Sequence, residues 1–224
     1  MKVLKLELFQ ETACYKKPFA MKISETYPLP PYSTISGMMH KILKADEYIP
    51  MNISVQGEYE SIINNYQTTY FYKQEEVTKM PMNSHLLFNV KLIIHIKAQE
   101  EILDKIFNEI VNLDEFLSLG RKEDLVRLDS IKFVNIYELR IDPENEDEED
   151  NVIPYYKLKY PVFIPKSNII GDINGISYRL NKFYDLKHGL RNWNKVDVLY
   201  VESDEMLDRG QVFIDCDNDI IFWS

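Results

Sequence analysis

The chain has little of what builds covalent frameworks, metal centres or phosphate loops. Of 224 residues only 2 are cysteine, 4 histidine and 7 glycine. Cys14 and Cys216 lie far apart, with no Cys-x-x-Cys spacing, which argues against a disulfide framework and a cysteine zinc site. His40, His85, His95 and His188 show no His-x-x-x-His or glutamate-flanked spacing, and neither common glycine-rich phosphate loop occurs. No metal or cofactor is therefore expected. No apolar run approaches the ~18 residues of a membrane-spanning helix. Residues 1–10 alternate leucine with lysine and glutamate where a secretory signal would be continuously apolar. A cytoplasmic protein with no membrane partner is the expectation.

What is present suits a folded protein. The hydrophobic fraction is 45%, with 12% aromatic residues, and a chain this long buries roughly 70% of its unfolded surface, enough for one large domain or one with a smaller addition. The formal charge of −10 argues against a nucleic-acid partner, because phosphates need local positive potential. That total is unevenly spread, however. The net charge is +2 over residues 1–98, −4 over 99–141, −7 over 142–150, +5 over 151–200 and −6 over 201–224. Apart from the two acidic blocks, the chain leaves room for an electropositive face.

Periodicity gives the element order. Residues 3–9 place Leu4, Leu6 and Leu8 opposite Lys5 and Glu7, as in a half-buried strand. The proline cluster Pro28, Pro30 and Pro31 excludes helix, so the first helix starts after it, with Ser33 or Thr34 as N-cap and Ile35, Met38, Met39, Ile42 and Leu43 on one face, and runs to about Ala45. A second strand follows over residues 53–63, and the tyrosine-rich stretch 66–82 reads as a projecting hairpin. Residues 86–97 alternate cleanly, with Phe88, Val90, Leu92, Ile94 and Ile96 on one face and Asn89, Lys91, His95 and Lys97 on the other. An amphipathic helix over 100–111 and a strand over 131–140 complete the series. The order is strand, helix, strand, inserted hairpin, strand, helix, strand, which predicts an α+β, ferredoxin-like (RRM-like) βαββαβ domain over residues 1–141 with a hairpin thumb at about 64–84. The acidic run 142–150 reads as a solvated loop. Residues 151–224 read as a small β-rich C-terminal region with strands over 155–164 and 211–223, the latter turning at Asp217 and Asn218.

Two segments stand out. Tyr27-Pro28-Leu29-Pro30-Pro31-Tyr32-Ser33-Thr34-Ile35-Ser36-Gly37-Met38 brings hydroxyls and a glycine to a helix start, where free N–H groups favour an anion. An ordinary Ser/Thr cap followed by a helix-packing glycine explains the same residues. In Leu119-Gly120-Arg121-Lys122-Glu123-Asp124-Leu125 a glycine precedes two cations; Arg121 suits bidentate phosphate recognition, and Glu123 and Asp124 either orient it or neutralise it. Asp215, Asp217 and Asp219 alternate as carboxylate ligands of a metal would, though a solvated hairpin tip needs no further donors. His95 reads as a structural histidine.

Together the two segments resemble the paired signature of the CRISPR-associated Cas-five family (RAMP superfamily), in the family's order and over about residues 1–140. The resemblance implies a subunit of a type I CRISPR surveillance complex (Cascade), closest to type I-B-like variants that keep a separate guide-processing endoribonuclease. It implies binding to the 5′ handle of the CRISPR RNA, contacts with the backbone and large subunits, and access to target DNA only through the assembled complex. Carried over onto this sequence, Tyr32, Ser33, Thr34, Ser36, Gly37, His40 and Lys41 with Gly120, Arg121 and Lys122 would meet RNA, and Tyr70, Tyr72, Lys73 and Lys79 would lie on the thumb. Some family members cleave precursor RNA with a Tyr, Lys and His set that needs no metal. Here the only Lys-His dipeptide is Lys187-His188, and Met39-His40-Lys41 runs the other way. A non-catalytic subunit is therefore expected; the alternatives are a metal-independent endoribonuclease and a protein-only adaptor.

Overall fold

Alternating leucines set the first strand and, with it, the sheet. The computed structural model describes residues 2–18, 23–144, 151–169 and 171–224. Strand β1 (Lys2–Ala13) is followed by helix α1 (Tyr32–Ile42), β2 (Asn52–Glu58), β3 (Ser61–Tyr72), β4 (Val77–Lys97), helix α2 (Glu100–Val111) and β5 (Arg127–Ile141). Then come β6 (Val162–Pro165), β7 (Ile176–Lys187), β8 (Leu190–Val201), β9 (Gly210–Asp215) and β10 (Ile220–Ile221). The architecture is mostly β, with two α-helices among the described residues.

These strands form one sheet in the order β7-β8-β6-β2-β4-β1-β5-β9-β10, every neighbouring pair antiparallel, with β3 folded back on β4 as a long hairpin. Register follows hydrophobicity: Leu4 lies opposite Ile96 and Phe133, and Leu6 opposite Ile94 and Ile131. One-residue slippage would turn this apolar set to the wrong face. Both helices cover that face, with Ile35, Met39 and Ile42 of α1 and Leu103, Ile106 and Ile110 of α2 buried in the same core as Leu4, Leu6 and Leu8.

Several boundaries differ from expectation. The helix N-cap is Pro31 rather than Ser33 or Thr34: its carbonyl accepts the Thr34 N–H at 2.9 Å, and no side-chain cap bond forms. Helix α1 stops at Ile42, short of Ala45, because Lys44 takes a left-handed φ of 52°. The single strand expected over 53–63 is two, broken at Tyr59 and Glu60, and β3 carries the hairpin. Strands β7 and β8 had no counterpart in the sequence reading. Strands after residue 151 extend the sheet at both edges, and Phe163, Leu180, Val198 and Tyr200 join the main core. A second core gathers Ile141, Leu158, Val162, Ile164, Val201 and Val212. Residues 145–150 of the acidic run lie outside the described residues.

The face of the sheet opposite the helices is covered by the C-terminal segment. Gln56 donates to the Ile220 carbonyl at 3.1 Å, the Phe222 N–H to Ser54 Oγ at 3.0 Å, and the Ser224 N–H to the Ile53 carbonyl at 3.1 Å. Val3, Val134, Ile136 and Ile221 seal this side with Phe213 and Trp223.

Candidate nucleic-acid interface

Helix α1 divides its side chains between core and groove. Tyr32 belongs to the core: it is fully buried, packs edge-on against Phe163, and burial raises the pKa of its hydroxyl, which has no hydrogen-bond partner. It is not available to RNA. Ser33, Ser36, Gly37 and His40 line a groove of about 560 Å³ whose opposite wall is Lys182, Phe183, Tyr184, Asp185, Leu186 and Trp193 of the β7–β8 hairpin. Gly37 is the sixth helical residue, and a Cβ there would meet nothing within 4 Å. It is no helix-packing glycine. Lys41 points to the other side of α1 and pairs with Glu115 at 3.2 Å.

His40 has no free ring nitrogen. Nδ1–H donates to the Ser36 carbonyl at 2.7 Å, and Nε2 accepts the Ile49 N–H at 2.8 Å, which fixes a neutral tautomer. Its ring stacks on Tyr48 with centroids 5.6 Å apart, and Tyr48 stacks on Phe183 at 5.0 Å. The imidazole is a strut tying α1 to the following loop, with both ring nitrogens engaged within the protein.

The second motif is a tight turn. Leu119 N–H donates to the Asp124 carbonyl, Asp124 N–H to that of Arg121, and Gly120 takes a φ of 106°. A side chain at Gly120 would run into Asp124 Oδ2 and the Cys14 carbonyl, so this position requires glycine. The Asp124 side chain is fully buried, accepts N–H groups from Cys14 at 3.0 Å and Arg121 at 2.9 Å, and pairs with the Arg121 guanidinium at 2.7 Å. Burial works against the Arg121 cation, but the Asp124 hydrogen bond and charge outweigh it and raise the pKa. Arg121 Nη1 also meets Glu123 at 3.3 Å and Gln67 of β3 at 3.4 Å. Asp124 thus orients Arg121 and neutralises it, and the guanidinium joins the turn to the hairpin base. Lys122 alone stays exposed, with no ion pair among the described residues.

The β3–β4 hairpin spans the expected thumb. Cross-strand pairing puts Tyr70 opposite Lys79, Tyr72 opposite Val77 and Tyr66 opposite Asn83, so the three tyrosines and Lys79 share one face. Tyr66, Tyr70 and Tyr72 are 74%, 47% and 80% exposed, and Lys79 Nζ lies 5.4 Å from the Tyr70 ring centroid. Lys73 begins the turn, and its N–H donates to the Glu76 carbonyl. His85 sits opposite Asn64 on the tyrosine face, near the hairpin base.

Asp215, Asp217 and Asp219 are not a solvated tip. Their carboxylates converge on Lys5, whose Nζ lies 2.7, 2.6 and 2.6 Å from them, and Asp215 Oδ2 is 3.1 Å from His95 Nε2. The ammonium stands where a metal ion would. Burial disfavours the Lys5 cation, but the hydrogen bonds its ammonium donates to the three aspartates reverse this and carry its pKa upward. Burial likewise opposes ionisation of Asp215, and His95 and Lys5 outweigh it, holding the carboxyl well below the usual range. His95 is structural, as its sequence context suggests.

Ser33, Ser36, Gly37 and His40 therefore face the β7–β8 hairpin across the groove, whereas of Gly120, Arg121 and Lys122 it is Arg121 that reaches the β3–β4 hairpin, through Gln67. Sequence reasoning missed Tyr48, Phe183, Tyr184 and Trp193. The available signal was the alternation of Val196, Val198 and Tyr200 beyond a His188-Gly189 turn, both residues of which have positive φ.

Residues 3–160 match the family model described as CRISPR-associated protein (Cas_Cas5). Among solved structures the chain is similar to one described as a CRISPR RNA-guided surveillance complex, with a TM-score of 0.61 and 12% identity over 97% of this chain and 92% of that one. It is also similar to a CRISPR protein from Archaeoglobus fulgidus, with a TM-score of 0.53 and 10% identity over 99% and 98% of the two chains. No curated protein matches.

Proposed function

Because the chain belongs to the CRISPR-associated protein (Cas_Cas5) family, we propose that it is a non-catalytic, cytoplasmic subunit of a type I, I-B-like CRISPR surveillance complex. In this reading it binds the 5′ handle of the CRISPR RNA and meets the backbone and large subunits. The observation that carries RNA binding is the tyrosine face of the thumb, where Tyr66, Tyr70 and Tyr72 stand exposed beside Lys79. Splayed bases of single-stranded RNA stack on such rings whatever their sequence, and a few cations suffice to track the backbone. Lys122 and Lys73 supply that charge in the proposal, and the net charge of −10 is no obstacle to so local a grip.

A ferredoxin-like reading of the domain is supported by the order β2-β4-β1-β5 with a helix after β1 and after β4. In RNA-recognition domains of that type the sheet face opposite the helices reads RNA. Here the C-terminal segment lies on that face, which favours the thumb instead.

The non-catalytic reading is supported by the histidines. His40 has both nitrogens engaged and His95 lies in the Lys5 cluster. One observation favours the endoribonuclease reading: His85 shares the tyrosine face. Yet His85 and Lys79 are six residues apart along β4, about 20 Å at ~3.4 Å per residue, too far to act on one phosphate.

Co-purification of tagged protein from its native host, with sequencing of bound RNA, tests the proposal. Repeat-derived RNAs sharing one 5′ end, together with backbone and large subunits, are expected; absence of both would leave the protein-only adaptor. Incubation of purified protein with precursor RNA and a chelator separates the enzymatic reading: cleavage lost in His85→Ala would overturn the non-catalytic assignment.

A further inference from the structure

The groove between α1 and the β7–β8 hairpin has a different chemistry from the thumb. Its walls carry the rings of Tyr48, Phe183, Tyr184 and Trp193 and the carboxylates of Asp46, Glu47 and Asp185. Lys182 is its one lysine. Burial lowers its pKa, and its ammonium is already spent on the Ser224 carbonyl at 2.6 Å. His40 contributes no charge in the tautomer its hydrogen bonds fix. Three lining carboxylates outnumber the lining ammonium even with the Arg191 guanidinium beside Tyr184 counted, so the groove carries net negative charge and disfavours an RNA backbone.

Acidic groups rimming exposed aromatic faces suit a cation, above all a guanidinium, which stacks on rings and pairs with carboxylates at once. The hairpin shows the geometry on itself: the Arg191 guanidinium lies 4.6 Å from the Tyr184 ring centroid. Gly37 supplies the remaining observation. A glycine inside a helix is costly, and this one has no neighbour that a Cβ would strike. Its missing side chain keeps open the middle of the groove wall, at about 560 Å³ room for an extended peptide segment with one or two long side chains.

We propose that this groove docks an arginine-bearing segment of a partner protein, seated against Gly37, with its guanidinium between the Tyr184 and Trp193 rings and the carboxylates of Asp46, Glu47 and Asp185. The site is separate from the thumb and does not depend on the RNA assignment.

The chain has two tryptophans, so a proton–nitrogen correlation spectrum shows two indole signals, and Trp193→Phe identifies one of them. The probes are an acetylated Gly-Arg-Gly-Arg-Gly amide, its Glu-Gly-Glu counterpart, and an eight-nucleotide single-stranded RNA. The arginine peptide is expected to shift the Trp193 signal saturably while the glutamate peptide leaves it in place. Gly37→Leu projects a side chain into the groove from a position where a Cβ meets nothing within 4 Å, so it should weaken the arginine peptide at least tenfold with an unchanged or higher melting temperature. Neutralising the exposed pair Asp46→Asn and Glu47→Gln should weaken it severalfold and flatten its salt dependence. A Trp193 signal that moves with RNA and not with the arginine peptide would assign the groove to nucleic acid and overturn the proposal. So would a signal that moves with neither, or arginine binding that survives Gly37→Leu.

Discussion

Lys5 is 1% exposed and bonded to three aspartates more than 200 residues away in sequence. Removing one partner of a buried ion cluster leaves uncompensated charge at a cost of about 3–5 kcal/mol. Lys5→Ala is therefore expected to lower stability by about that much, read as a drop in urea midpoint. The cluster also sets the pH response. Asp215 and Asp217 are depressed from their ordinary 3.8, so their stabilisation is present above about pH 4 and is lost as pH falls through the folded values. Lys5 is raised from 10.5, so its share is present below that and is lost as pH rises through the folded value. Urea midpoints measured from pH 2 to 12 should fall at both ends, and Asp215→Asn should flatten the acid limb. Arg121 calls for the same caution. Arg121→Ala strands the buried Asp124 carboxylate, so loss of RNA binding in that variant would report unfolding as much as contact. Lys122→Ala is the clean probe: melting should not change, and the salt dependence of RNA affinity should fall by about 0.7 in logarithmic slope, one single-strand phosphate.

At the scale of elements, the thumb is a two-stranded ribbon with exposed rings, and stacking on such rings contributes roughly 1–3 kcal/mol per base. Tyr66→Ala, Tyr70→Ala and Tyr72→Ala should each weaken a handle RNA by about 5- to 150-fold in a fluorescence anisotropy titration, with melting unaffected because all three side chains lie outside the cores. The hairpin was legible in sequence because Tyr66, Tyr70, Phe71 and Tyr72 alternate loosely with polar residues, and α2 was legible to the residue because Ile102, Ile106 and Ile110 repeat by four. Strand β1 and the second half of β4 were legible from their alternating hydrophobicity, but that they are buried on both faces, with Lys5 and His95 as deep as the leucines and isoleucines beside them, was not. The end of α1 was not, since Lys44 turns left-handed without the glycine that advertises such a cap. Nor were β7 and β8, whose outer halves expose both apolar and polar residues, from Tyr184 and Leu186 to Arg191, and so lack a two-residue period. The motif residues were found but their duties were not: that His40 and Arg121 are bound within the protein depends on Ile49 and on the burial of Asp124, which spacing does not display.

Across the whole molecule, the acidic C-terminal block has two roles that composition merged. Asp215, Asp217 and Asp219 neutralise Lys5, Lys132 and Lys159 in the folded chain. Asp204 and Asp208 stay at the surface. The segment that carries the first three also roofs the sheet, so deleting residues 216–224 uncovers Ser54, Gln56 and Ile221's apolar neighbours Val3 and Val134 together. That truncation is expected to abolish the near-ultraviolet circular dichroism and the cooperative melt, whereas removal of an independent tail would leave both intact.

The span between Lys5 and its partners, 212 residues to Asp217 and 214 to Asp219, also fixes an order of events in the cell. A ribosome adds roughly 5–20 residues per second, so Lys5 is synthesised some 10–40 s before its counter-charges. During that interval β1 carries a cation on a face with nothing to cover it, next to hydrophobic Val3. The nascent chain therefore cannot close this face of β1 until its last residues have been made.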